Sequence, residues 1–87
     1  MQNQHRKIIE VVSLQFTKAP FSIWEVEDAS GASRSTVHRT LRILTDLKML
    51  EYKPRCYAGK NYRVTVAWTT QDEVIETYET AKALGLA

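Results

Sequence analysis

The sequence predicts a mainly α fold with one small β-hairpin: a three-helix core, a two-stranded extension and an extra C-terminal helix. Four segments repeat apolar residues at helical spacing and are bracketed by residues that cap helices. One segment instead alternates apolar and polar residues on either side of Ala58-Gly59. A length of 87 residues, with 44% hydrophobic and 25% charged side chains, fits a single globular domain over residues 1–87 and is too apolar for a disordered chain.

The first helix is expected over residues 6–17, where Ile8, Ile9, Val12 and Phe16 form a stripe that Val11 and Leu14 widen. Pro20 then stops the chain. Ser22-Ile23-Trp24-Glu25 has the pattern of a capping box, in which the serine accepts from an exposed amide and the glutamate reaches back, so a short helix runs to about residue 30. Gly31 follows where a left-handed residue ends such a helix, and Ser33 is placed to cap the next one. In that third helix, residues 34–48, Val37, Leu41 and Leu44 share one stripe, which belongs to the core.

Residues 49–57 and 60–68 are expected as paired strands, with Tyr62, Val64, Val66 and Trp68 alternating onto one face. Pro54 cannot donate to a ladder, which places it on the outer edge or at a bulge. Thr70-Gln71-Asp72-Glu73 is a second capping box, opening a helix with Val74, Tyr78, Ala81 and Leu84 on one side and closing near Gly85. Trp24 and Trp68 sit at positions that alternate inward, so both are expected in the core.

The net charge of +2 conceals an asymmetry. Residues 31–63 carry eight Lys and Arg against two Asp and Glu, a net +6, whereas residues 21–30 and 64–87 are each net −3. A basic centre between acidic flanks suits a face that binds a polyanion. On the third helix Ser35, Arg39 and Arg42 project opposite the core stripe, with Arg34 and His38 on the flank. Such a face fits a DNA groove: arginine bonds two guanine acceptors at once, short hydroxyls reach phosphates, and a helix N-terminus favours phosphate. Lys53, Arg55, Lys60 and Arg63 put the rest of the surplus on the hairpin. Lys53, Arg55 and Lys60 are therefore expected to hold backbone phosphates while Arg39 and Arg42 read bases.

The order helix, helix, tight turn, helix, basic hairpin resembles the winged helix-turn-helix domains of bacterial and phage regulators. The stretch Ser30-Gly31-Ala32-Ser33-Arg34-Ser35-Thr36-Val37-His38-Arg39-Thr40-Leu41, followed by Leu44, resembles the turn and recognition helix of IclR-type regulators. Thr36-Val37-His38-Arg39-Thr40-Leu41 is also similar to the recognition helix of Fur-type regulators. The resemblance covers about residues 21–68. It implies a major-groove helix over residues 34–48, a hairpin that touches backbone or minor groove, and contacts to DNA from Arg34, Ser35, Thr36, His38, Arg39 and Arg42. Two departures stand out. Glu27 occupies a position where helix-turn-helix sequences usually place a small alanine, and 87 residues leave no room for the sensor or dimerisation domains of those two families. A small DNA-binding transcriptional regulator is expected, a repressor of phage or plasmid type, with double-stranded DNA as partner.

The apolar stripes of the first and last helices suggest a homodimer through those two helices, binding half-sites about one DNA turn apart. The alternative function is a protein-interaction module or accessory factor of a nucleoprotein complex, docking through the acidic last helix or through Glu25, Glu27 and Asp28. RNA is the less suited polyanion, because the deep, narrow groove of A-form RNA excludes a recognition helix. No cofactor is expected. Cys56, His5 and His38 lack the spacing of metal ligands, His5 is expected in a fraying terminus, and Cys56 has only neighbouring Arg55 to favour a redox-active thiolate. No nucleophile constellation or glycine-rich phosphate loop is present, so catalysis is not expected. A single cysteine cannot form an internal disulfide, and no stretch has the roughly 18 consecutive apolar residues of a membrane span. The expected location is the cytoplasm.

Overall fold

In a computed structural model that describes residues 4–54 and 59–85, the chain runs α1 (Gln4–Gln15), α2 (Ile23–Ser30), α3 (Arg34–Asp46), β1 (Leu50–Tyr52), β2 (Tyr62–Val64) and α4 (Gln71–Ala83). The architecture is mainly helical with one two-stranded antiparallel hairpin, as the sequence predicts. A radius of gyration of 11.8 Å matches the ~12 Å expected for a chain of this length.

Helix starts follow their caps. Ser22 accepts from the Glu25 amide while the Glu25 carboxylate accepts from the Ser22 amide, so the capping box is complete. Ser33 accepts from the Thr36 amide to open α3. Thr70 likewise accepts from the Glu73 amide, but Glu73 does not return the bond, which leaves a simple cap in place of the expected box. Gly31, at φ 73°, donates its amide to the Glu27 carbonyl and ends α2, leaving two residues before α3.

The end of α3 departs from expectation. The helix stops at Asp46, two residues early, because Lys48 adopts a left-handed conformation at φ 68°. Its amide donates to the Thr45 carbonyl and the Met49 amide donates to the Leu44 carbonyl. Those two bonds make a Schellman ending with lysine where glycine is usual.

The core lies where α1, α3 and α4 converge under the hairpin, and Ile8, Ile9, Val12, Phe21, Val26, Val37, Leu41, Leu44 and Val74 are all fully buried. α1 packs on α2, α3 and α4, and α3 packs on β1. The apolar stripes of α1 and α4 therefore meet within one chain. Burial on α3 is wider than its three-residue stripe, taking in Thr40 and Ile43 as well.

The hairpin pairs Leu50 with Val64, Glu51 with Arg63 and Tyr52 with Tyr62. Within the described residues the strands are much shorter than expected; residues 55–57 of the expected first strand lie outside them. Beyond Val64 the chain bends, with the Trp68 amide donating to the Thr65 carbonyl, so Val66 is fully exposed and the alternation read through it fails. Trp68 still packs on the core. Pro54 follows the end of β1, where no ladder bond is needed. An unpredicted bridge joins Phe21 to Tyr62, each donating its amide to the other's carbonyl at 2.8 and 3.0 Å. It fastens the start of α2 to the hairpin. Three apolar residues read as inward are exposed instead: Leu14 at 74%, Leu84 at 70% and Trp24 at 61%. Among the described residues, no helix is long and apolar enough to cross a membrane.

Candidate nucleic-acid interface

Because Val37, Thr40, Leu41, Ile43 and Leu44 are drawn inward, the opposite side of α3 is left to solvent. Arg34, Ser35, His38, Arg39 and Arg42 are exposed there and line one shallow depression of about 570 Å³. Five of the six residues expected on this helix are thus brought together. Thr36 is set apart: it is half-buried, its hydroxyl lies 2.9 Å from the Ser33 hydroxyl, and it faces a second cleft shared with α1 and α4.

Between α2, α3 and the hairpin lies a cleft of about 480 Å³ whose walls include Trp24, His38, Arg42, Tyr52, Asn61 and Tyr62. The hairpin therefore stands beside α3 across a groove lined by aromatic and polar side chains. Lys53 and Lys60 are both exposed on the hairpin. Arg55, expected to hold phosphate from the same element, lies outside the described residues, as does Cys56.

Several of these cations already have counter-ions. Lys60 Nζ is 3.6 Å from Glu25, Arg63 is 3.4 Å from Glu51 across the ladder, and Lys53 is 3.8 Å from the same carboxylate. Arg34 Nε is 3.6 Å from Glu27 Oε2, and its guanidinium carbon sits 3.7 Å from the centroid of the Trp24 ring. Exposed pairs of this kind contribute about 0–1 kcal/mol each and are readily exchanged for other anions. Arg39 and Arg42 have no acidic partner among the described residues. Among the described residues, the arginines in the middle of α3 are thus left without an ion pair, whereas Lys53, Lys60 and Arg63 of the hairpin have one.

Glu27, which departs from the usual alanine, is partly buried and pairs with Arg34, the first residue of α3. Trp24, expected in the core, instead lines the cleft beside α3 and is exposed. It lies about 200° around α2 from the buried Val26, a signal that was available in the spacing.

Comparison with protein-family models, with curated proteins and with solved structures finds no match.

Among the described residues, three ionisable groups are displaced from their ordinary values. The Arg6 guanidinium forks onto Glu79, Nε to Oε2 at 2.8 Å and Nη2 to Oε1 at 3.1 Å. This hydrogen bonding raises Arg6 and, with a second contact from His5, holds the Glu79 carboxylate below the usual range. Burial, helped by neighbouring Tyr52, pushes the Tyr62 phenol up. His5 is not frayed: it is folded into α1, stacks on Tyr78 at 4.8 Å and has Nε2 3.1 Å from Glu79 Oε2. Among the described residues, no group of three or more His, Cys, Asp and Glu is placed to hold a metal ion.

Proposed function

We propose that this chain is a winged helix-turn-helix domain that binds double-stranded DNA as a small, non-catalytic transcriptional repressor, working in the cytoplasm by occluding its operator. The single observation that carries the proposal is the continuous exposed face of α3, with Arg34, Ser35, His38, Arg39 and Arg42 on one side of a helix whose other side is core. In this reading α3 enters the major groove. Arg39 and Arg42, free of acidic partners among the described residues, reach guanine edges there. Lys53, Arg55 and Lys60 hold phosphates from the hairpin and set the register without reading sequence.

Two copies on a dyad-symmetric operator belong to the same proposal. The stripes of α1 and α4 are spent inside one chain, so a dimer through these helices would use what they leave outside, beginning with exposed Leu14 and Leu84. The alternative is a protein-docking module that uses the acidic last helix or Glu25, Glu27 and Asp28, of which Glu25 and Glu27 would exchange their pairs with Lys60 and Arg34 for a partner's cations.

The direct test is duplex binding as a function of salt. About six phosphate contacts would make affinity fall steeply, with a log–log slope near −5. Retention that does not change with salt would reject the proposal.

A further inference from the structure

A second polar cleft lies on the far side of Arg39, where α1, α3 and α4 meet. It encloses about 210 Å³. Among the described residues Arg39, Lys82, His5 and Gln4 line it together with the hydroxyl-bearing Thr36, Thr40 and Tyr78, and no carboxylate does, the nearest named one being Glu79, 3.1 Å from His5 Nε2. The absence of acid in the lining is notable on α4, which carries Asp72, Glu73, Glu76 and Glu79 against Lys82 as its single cation. That one cation is the residue α4 contributes to the cleft alongside Tyr78.

Glu79 precedes Lys82 by three residues, within reach of an ordinary helical ion pair. It is engaged elsewhere, in the fork with Arg6 and the contact with His5. Lys82 and Arg39 therefore line one cleft with no acidic partner among the described residues. Two like charges sharing a small recess repel, and an anion between them removes that cost. The first turn of α3, which supplies Thr36, adds the positive end of its backbone dipole. Guanidinium, ammonium and hydroxyl groups without carboxylate match a tetrahedral oxyanion.

We infer that the cleft between α1, α3 and α4 is a phosphate site, with Lys82 as its anchoring cation, Thr36 and Thr40 in its wall, and Arg39 adding positive charge at the edge it shares with the exposed face of α3. The inference rests on the DNA-binding reading only for the source of the phosphate, which in that reading is the duplex backbone beside α3. It extends the interface to α4, an element that its net charge had set aside.

The test uses the full chain and the variants Lys82→Gln and Lys82→Arg, with inorganic phosphate titrated against chloride at equal ionic strength and amide shifts recorded by NMR. Saturable, phosphate-specific shifts at Thr36, Arg39, Thr40 and Lys82 are expected in the wild type and Lys82→Arg and not in Lys82→Gln. On a random-sequence duplex, Lys82→Gln is expected to reduce the log–log salt slope by about one while leaving base preference unchanged. Loss of the duplex contact in Lys82→Gln, even where free phosphate does not saturate, assigns the site to backbone phosphate. Saturable phosphate binding that needs Lys82, in a protein that does not bind duplex, upholds the cleft with free phosphate as occupant and rejects the DNA reading. Absence of phosphate-specific shifts, together with a Lys82→Gln slope equal to that of the wild type, overturns the inference and leaves the DNA reading standing.

Discussion

The guanidinium of Arg34 stacks on the indole of Trp24, 3.7 Å from the ring centroid, while its Nε lies 3.6 Å from Glu27. The first residue of α3 is thus held by two residues of α2. The arrangement explains why a tryptophan is 61% exposed in a small domain: one face of its ring is covered by a cation. A double-mutant cycle of Trp24→Ala and Arg34→Ala, read by urea unfolding, is expected to give a coupling of about 0.5–1 kcal/mol. A coupling indistinguishable from zero would mean that the stack contributes nothing in solution.

In the proposed complex Glu27, 3.6 Å from Arg34 Nε, would compete with DNA for that guanidinium. Replacing it as Glu27→Gln is expected to raise affinity for all duplex sequences by about twofold to fivefold, the scale of one exposed ion pair. Fluorescence anisotropy at fixed salt measures this. Unchanged affinity would place Arg34 outside the interface.

Lys48 takes a left-handed conformation at the end of α3, with φ 68°. A side chain there costs free energy that glycine avoids, although glycine loses more backbone entropy on folding. Lys48→Gly is expected to stabilise the domain by about 0.5–1 kcal/mol, seen as a higher urea midpoint with unchanged slope. Destabilisation would show that the lysine makes contacts worth more than the strain.

Stability in acid is expected to depend in part on Glu79. Its carboxyl is held below the ordinary value, chiefly by the Arg6 hydrogen bonds and then by His5. A lowered folded-state value adds stability that is present above the ordinary carboxylate range, near pH 4, and is lost as pH falls through the depressed value. Glu79→Gln is therefore expected to flatten the acid limb of a stability–pH curve while changing little of its alkaline limb. Tyr62 works in the opposite direction. Its raised value contributes stability below about pH 10 that is lost as pH rises further, so Tyr62→Phe is expected to flatten the alkaline limb. An unaltered limb in either variant would contradict the corresponding assignment.

The proposed DNA interface assigns base reading to α3 and positioning to the hairpin. Arg39→Ala is expected to relax base preference by about 1–3 kcal/mol, whereas Lys60→Ala weakens binding to all sequences alike. Equal loss of preference in both variants would remove the distinction.

Much of the fold was legible where a local rule has a single physical cause. Ser22 with Glu25, Gly31, Ser33 and Thr70 mark helix boundaries because each satisfies backbone groups that a helix end leaves open. The end of α3 was not legible, because Lys48 does a glycine's task without a glycine's signature. The strands were overextended because alternation through Val66 and Trp68 looks the same whether the chain stays in a ladder or turns at Thr65. The Phe21 bridge is one residue long and has no period to detect. On the candidate site, the exposed face of α3 follows from helical spacing alone. Its counter-ions do not: Glu25, Glu27 and Glu51 come from other elements, and their pairing with Lys60, Arg34, Arg63 and Lys53 depends on how those elements pack. The same holds for Lys82, which only the packing of α4 brings to the cleft shared with Arg39.

The most direct measurement is selection from a random duplex pool at fixed moderate salt, comparing the wild type with Arg39→Ala and Arg42→Ala. DNA reading through α3 predicts an enriched, dyad-symmetric motif in the wild type that is lost or degraded in both variants while the proteins remain folded. Absence of any enriched motif, with weak retention insensitive to salt, would contradict it.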